Sequence, residues 1–248
     1  RRRHTRYISV TGVQTCALPI CIKRFATFAP RTAYGEQMSR TLESHVSVRG
    51  GTVVAAELFD ENSSDLSGAA ERLAKEAKVD DTTAGKLAVL VPVPPARLPT
   101  VLGALSGAGI DSKTVQLIGT GVWDVSGIGN DPNLRGAWYA APDPERRTDF
   151  ERKFIATYGR PPDRLATLAY DAVVLSAQLT LLKPGGDFSA EAITNPNGWS
   201  GVDGPFRFLP DGRTERSLAV IEVQGERNVV ISPAPASFMA NKIGRAHV

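Results

Sequence analysis

Thiols, imidazoles and long apolar runs are nearly missing from this chain, and each gap removes a class of chemistry. Its 248 residues hold two cysteines, three histidines and two methionines. Cys16 and Cys21 both fall in the opening stretch VTGVQTCALPIC (10–21), and His4 and His247 lie at the extreme ends. Between those ends there is no thiol, which excludes a disulfide frame, a thiolate nucleophile and a cysteine-ligated metal. His45 remains, and a lone histidine on a helix is expected to be a surface or packing residue. No run reaches the ~18 apolar residues that a membrane span needs. G-x-S-x-G, H-E-x-x-H and the P-loop lysine motif are also absent. With no nucleophile–base pair in view, no catalytic residue is assigned and the chain is not read as an enzyme. No cofactor or metal site is expected.

The two ends share a feature of their own. Thr15–Ile20 can be coded by ACG TGT GCT CTT CCG ATC, whose opposite strand, shifted by one base, codes Ile243–Val248. That duplex resembles a sequencing-library adapter, and RRRHTRYISV resembles its index primer in the same frame. Residues 1–21 and 242–248 are therefore set aside as non-native. A basic arm and a natural tail are the alternative. The choice matters for charge. The formal +3 rests on Arg1, Arg2, Arg3, Arg6, Lys242 and Arg245. Without them 23 basic residues face 26 acidic ones, a net charge of −3, and the argument for a nucleic-acid partner disappears.

What is present is an alternation of strand and helix patterns. RFATFAP (24–30) reads as a buried strand, and Met38, Leu42 and Val46 then mark one helix face, closed by Gly50-Gly51. TVVAAELFD is a second strand. Asp65 is the expected N-cap of a helix with Leu66, Ala69, Ala70, Leu73 and Ala77 inside. KLAVLVPVP (86–94), LPTVLGALSGAG and TVQLIGTG (114–121) continue as strand, helix, strand. This order predicts an α/β fold, a parallel sheet with helices on both faces. Ligands bind such sheets at the strand carboxyl ends, here the loops near Pro30, near Pro92 and at Thr120.

GTGVWD (119–124) lacks the third glycine of a dinucleotide fingerprint and reads as a tight loop. Asp143, Glu145 and Asp149 gather at a predicted helix start, where the dipole favours carboxylates, and are assigned a structural role. The helix RLATLAYDAVVLSAQLTLL is apolar around most of its girth, which predicts deep burial. Farther on, Asp211-Gly212 separates two alternating runs, a β-hairpin signature.

FAPRTAYGEQMSRTLESHVSVRGGTVV, SSDLSGAAERLAKE, QLIGTGVWD, LATLAYDAVVLSAQL and GVDGPFRFLPDGRTERSLAVIEV resemble, in order and spacing, the type 1 periplasmic solute-binding proteins. The similarity is to their leucine/isoleucine/valine-binding branch, and closest to alphaproteobacterial members labelled penicillin-binding protein activator. It implies two α/β lobes joined by three crossovers, with a small-molecule ligand in the cleft. On that map 22–141 is the second lobe, 142–216 a partial first lobe and 217–241 a return to the second. The opening sheet of the first lobe is missing, so the LATLAYDAVVLSAQL helix should present an uncovered apolar face.

The resemblance also implies cleft positions. Tyr34 matches the aromatic at the YG helix start; a packing role at the helix N-terminus is equally open. Pro94 or Pro95 stands where amino-acid binders have a second aromatic. The acid that pairs the ligand ammonium aligns near Gly121, with Asp124 three residues on. Trp123 supplies either a stacking wall or packing within its own lobe. Tyr170 faces either the hinge or the core. The implied function is ligand binding in the periplasm, with an ABC permease as partner and a lipid anchor as an open option. The alternative is an activator that contacts a penicillin-binding protein; a sensor domain of a regulator is a third reading.

Overall fold

The computed structural model describes residues 22–80, 83, 86–225 and 228–238, so the expectations for 1–21 and 242–248 lie outside the described residues. Described residues up to Ala141, with Val220–Ser232, form one compact unit; Pro142–Ala219, with the described residues from Pro233 onward, form a second. Of the segment 217–241 expected to return as a whole, Val220–Ser232 joins the first unit.

The larger unit is built from β1 (Arg24–Pro30), α1 (Ala33–Val48), β2 (Thr52–Phe59), α2 (Ser67–Glu76), β3 (Leu87–Leu90), α3 (Leu98–Gly107), β4 (Gln116–Gly119) and β5 (Trp138–Ala141). β8 (Ala219–Glu222) and β9 (Val229–Ser232) complete its sheet, in the order β2-β1-β3-β4-β5-β8-β9. β2, β1, β3, β4 and β5 pair in parallel, with Arg24 opposite both Thr52 and Leu87, Ala88 opposite Gln116 and Ile118 opposite Trp138. β9 runs antiparallel to β8.

Composition explains the layering. LAVL of β3 and WYAA of β5 are buried at every residue, as is RFATFAP of β1 after its first. Strands covered on both faces show such unbroken apolar runs, whereas β2 at the sheet edge has exposed positions. The expected helix faces are the buried ones: Met38, Leu42 and Val46 on α1; Ala69, Ala70 and Leu73 on α2. Asp65 stands one residue before the Leu66 cap position of α2 and accepts the Ser67 N–H at 2.9 Å. β5 had no signal in the sequence. Four residues buried on both faces show neither alternation nor a turn.

The smaller unit contains α4 (Pro144–Tyr158), α5 (Ala166–Leu181), α6 (Ala190–Ile193), β6 (Phe206–Phe208) and β7 (Thr214–Arg216). Asp143 caps α4 by accepting the Glu145 N–H, a structural use of that carboxylate. β6 and β7 form the expected hairpin, Phe206 opposite Arg216 and Phe208 opposite Thr214. The apolar run after the hairpin divides, because β7 stops at Arg216 and β8 begins at Ala219 in the other sheet.

Leu175, Leu179 and Phe206 form the small core, flanked by Ala192, Ile193, Trp199 and Phe208. The deep burial predicted for α5 is limited to one stripe, Thr167, Asp171, Leu175 and Leu179. Its other side leaves Tyr170, Val173 and Leu181 at 52%, 71% and 85% exposure. An apolar girth gives no periodicity from which to tell a covered face from an open one.

Candidate functional site

In the larger unit the strand order reverses between β1 and β3, the place where an open parallel sheet leaves a crevice at its carboxyl end. Three loops meet there. The first leaves β1 at Pro30 and enters α1 at once. Thr32 caps that helix, its hydroxyl accepting the Gly35 N–H at 3.2 Å. Gly35 passes so close to β1 that a Cβ would stand 2.0 Å from the Pro30 carbonyl oxygen, so a side chain there would push the helix away. This tight start sets Tyr34 in the first turn of α1.

The second loop is Val91-Pro92-Val93-Pro94-Pro95, after β3. Val91 still donates to the Ile118 carbonyl at 2.8 Å, and Val93 donates to Val91 at 3.0 Å. Pro94 is exposed and Pro95 opens a single 3-10 turn ahead of α3. The third loop follows β4: Thr120, then a 3-10 turn over Gly121–Trp123.

Tyr34 and Thr120 meet across the end of β3. The phenol oxygen lies 2.7 Å from Thr120 Oγ1, and either hydroxyl can donate. Thr120 is fully buried, while Tyr34 and Gly121 are half-buried and form the accessible rim. Trp123 is fully buried. Its indole N–H donates to the Val93 carbonyl at 3.1 Å, and its ring occupies the space over Gly119, where a Cβ would stand 2.1 Å away. Trp123 therefore packs within its own unit and offers no ring face to solvent. Tyr170 belongs to the smaller unit, where its ring meets Phe150 edge-on at 5.3 Å between centroids.

The charges near this rim are arranged for structure. Arg31 donates to the Leu58 carbonyl at 2.9 Å and Arg97 to the Ser63 carbonyl at 2.7 Å, each tying its loop to the end of β2 or just beyond it. Asp124 acts on Tyr139, a buried residue of the neighbouring strand β5. Burial first, and then the Asp124 charge, push the Tyr139 phenol up to about 12, opposed by a hydrogen bond from Asn228. The phenol therefore stays protonated. The groups gathered here are the paired hydroxyls of Tyr34 and Thr120, backbone groups and the exposed Pro94 ring. Sequence reasoning missed the Val93 carbonyl as an anchor and Gly119 as the residue that admits the indole. A glycine ending a buried strand is the signal that marks such close approach.

Solved structures with the same fold agree on its type. A Rhodospirillum rubrum protein assigned to a branched-chain amino acid ABC transporter superposes with a TM-score of 0.71 at 19% identity, covering 89% of this chain and 64% of its own. A Rhodopseudomonas palustris ABC-transporter solute-binding protein in complex with benzoate gives 0.62 at 19%, covering 92% and 63%. A branched-chain amino acid substrate-binding protein of Streptococcus pneumoniae in complex with isoleucine gives 0.59 at 16%, covering 92% and 65%. The chain thus spans less than two thirds of the length of each, and at such identities the likeness shows the fold alone. No curated protein matches the sequence. None of these relatives is described as an activator of cell-wall synthesis. The family model described as periplasmic binding protein matches residues 12–228, beginning inside the stretch 1–21 that the codon argument set aside. With that match over most of its length and this parallel sheet, the chain belongs to the periplasmic binding protein family.

Proposed function

We propose that this chain is the greater part of a solute-binding protein of an ABC importer, holding a small molecule without chemical conversion. The observation that carries the reading is the Tyr34–Thr120 hydroxyl pair at the reversal point of the sheet. On this reading residues 22–141 with 220–232 are one lobe, and 142–219 are part of the other. Tyr34 and Gly121 touch the ligand directly, with Thr120 fixing the Tyr34 ring. The protein works outside the cytoplasm and delivers its ligand to a permease; the family's description as periplasmic and the neighbours' assignment to ABC transporters support this.

The ligand is a small carboxylate, amino acid or aromatic acid, the two classes held by those neighbours. Titration calorimetry with L-isoleucine, L-leucine, benzoate and 3,4-dihydroxybenzoate tests this. One of them is expected to bind and raise the melting temperature; at a hundredfold excess over Kd the linkage is worth about 2.7 kcal/mol. Tyr34→Phe should weaken that binding about fivefold, the worth of one hydrogen bond. Binding by none of the four, or full affinity in Tyr34→Phe, would remove the assignment of this crevice.

A further inference from the structure

We propose that Trp123 is a positioning residue of the crevice: it touches no ligand, and it fixes the loop that carries Thr120 and Gly121. This rests on the reading above that the crevice binds a small molecule. The β3 loop works as a rail. Val93 sits between Pro92 and Pro94, and each ring locks its own φ near −65°, Pro94 at −66°. The helical region is disfavoured for a residue that precedes proline, which favours extended backbone at Val93. Its carbonyl is a rigid acceptor, and the Trp123 indole donates to it at 3.1 Å.

The indole is pinned at a second point. Gly119 leaves room for the ring where any side chain would overlap it, so the residue before Thr120 and the residue three after it are locked together. The backbone closes the same short turn, the Trp123 N–H reaching the Thr120 carbonyl at 2.9 Å. Thr120 is in turn bonded to Tyr34. The β1, β3 and β4 loops are thereby joined by two side-chain bonds, one of them fully buried. A loop ordered in advance costs a ligand less conformational entropy than one that orders on binding. Trp123 accordingly acts on affinity from behind the surface.

The test replaces Trp123 by 3-benzothienylalanine, which keeps the bicyclic shape and loses only the N–H. Trp123→Phe is the genetic counterpart. Because the sulfur isostere preserves the packing, it decides the matter if the phenylalanine variant fails to fold. Two readouts are taken: amide exchange at Gly121, Val122 and Asp124, and calorimetry with L-isoleucine, L-leucine, benzoate and 3,4-dihydroxybenzoate as probes. The expected result is exchange at those amides about tenfold faster, unchanged exchange in α1, a melting temperature lowered by only a few degrees for the lost buried bond, and probe affinity about fivefold weaker. Unchanged exchange in the isostere overturns the proposal, since the bond then holds nothing. Faster exchange with unaltered probe affinity overturns it too, by showing a pin without a role in binding. If the parent chain binds none of the four, the binding reading has failed, and the exchange arm alone reports whether Trp123 pins the loop.

Discussion

The two units are stabilised in different ways. In the larger one β1, β3 and β5 are buried along nearly their whole length, and α1, α2 and α3 each send an apolar stripe inward. In the smaller one α4 has no buried residue, although it carries Phe150, Phe154, Ile155 and Tyr158, and α5 buries only one stripe. Charge takes up part of what packing leaves undone. Asp171, 4% exposed, accepts the Val202 N–H at 2.7 Å and both Arg216 guanidinium nitrogens at 3.3 Å. Asp203, 2% exposed, accepts from Thr167 at 2.8 Å and from Arg164 at 3.1 Å. In a unit with a two-stranded sheet and a three-residue core cluster, removing one partner of such a buried pair is expected to cost more of the total stability than in the seven-stranded one.

This contrast can be broken by experiment. The largest effect is expected for Asp171→Ala, which strands a nearly buried guanidinium and a backbone N–H. A loss of about 4 kcal/mol in the smaller unit, read from denaturant unfolding with separate probes for each unit, is the expected outcome. A loss under ~1 kcal/mol would show that the ion pairs are incidental.

Gly35→Ala comes next, in the larger unit. The new Cβ meets the Pro30 backbone oxygen, which cannot yield as a side chain would, and about 3 kcal/mol should be lost in the melting of that unit. Val173→Ser and Leu181→Ser probe the open side of α5. Each should change stability by less than ~0.5 kcal/mol while reducing binding of a hydrophobic dye and slowing aggregation. Strong destabilisation there would mean that the face is covered in solution.

The smallest effect concerns Asp187. Its hydrogen bonds from Ser189, with Lys183 adding to them, draw its carboxyl down from 3.8 to about 2. A depressed carboxylate contributes stability that is complete above its unfolded value and lost as pH falls through the folded one. The Ser189 contacts should therefore loosen between pH 3.8 and about 2, followed by carboxyl carbon NMR.

Legibility in the sequence tracked the same contrast. The helix faces of α1 and α2 were readable because one side is buried and the other wet, so Met38, Leu42 and Val46 stood out by spacing. β5 was not readable, nor was the split of the last apolar run at Ser217, because neither carries a period of its own. The crevice was partly legible. Tyr34 and Thr120 lay in the loops that the sheet rule indicated, yet their hydroxyl contact joins positions 86 residues apart. Trp123 looked equally suited to a wall and to packing, since an indole in a glycine-rich loop satisfies either pattern. Gly119, four residues before it, carried no label until the ring was seen above it.

By itself the amino-acid order determined the alternation of strand and helix, the inward face of each amphipathic helix and the lack of any cysteine after Cys21. These are local properties, set by side-chain periodicity and composition. The tertiary structure alone decided which loops meet at the reversal of the sheet, that Trp123 turns inward to Val93, and which side of α5 stays uncovered. Those outcomes depend on contacts between residues distant in the chain, and no window of sequence contains both partners.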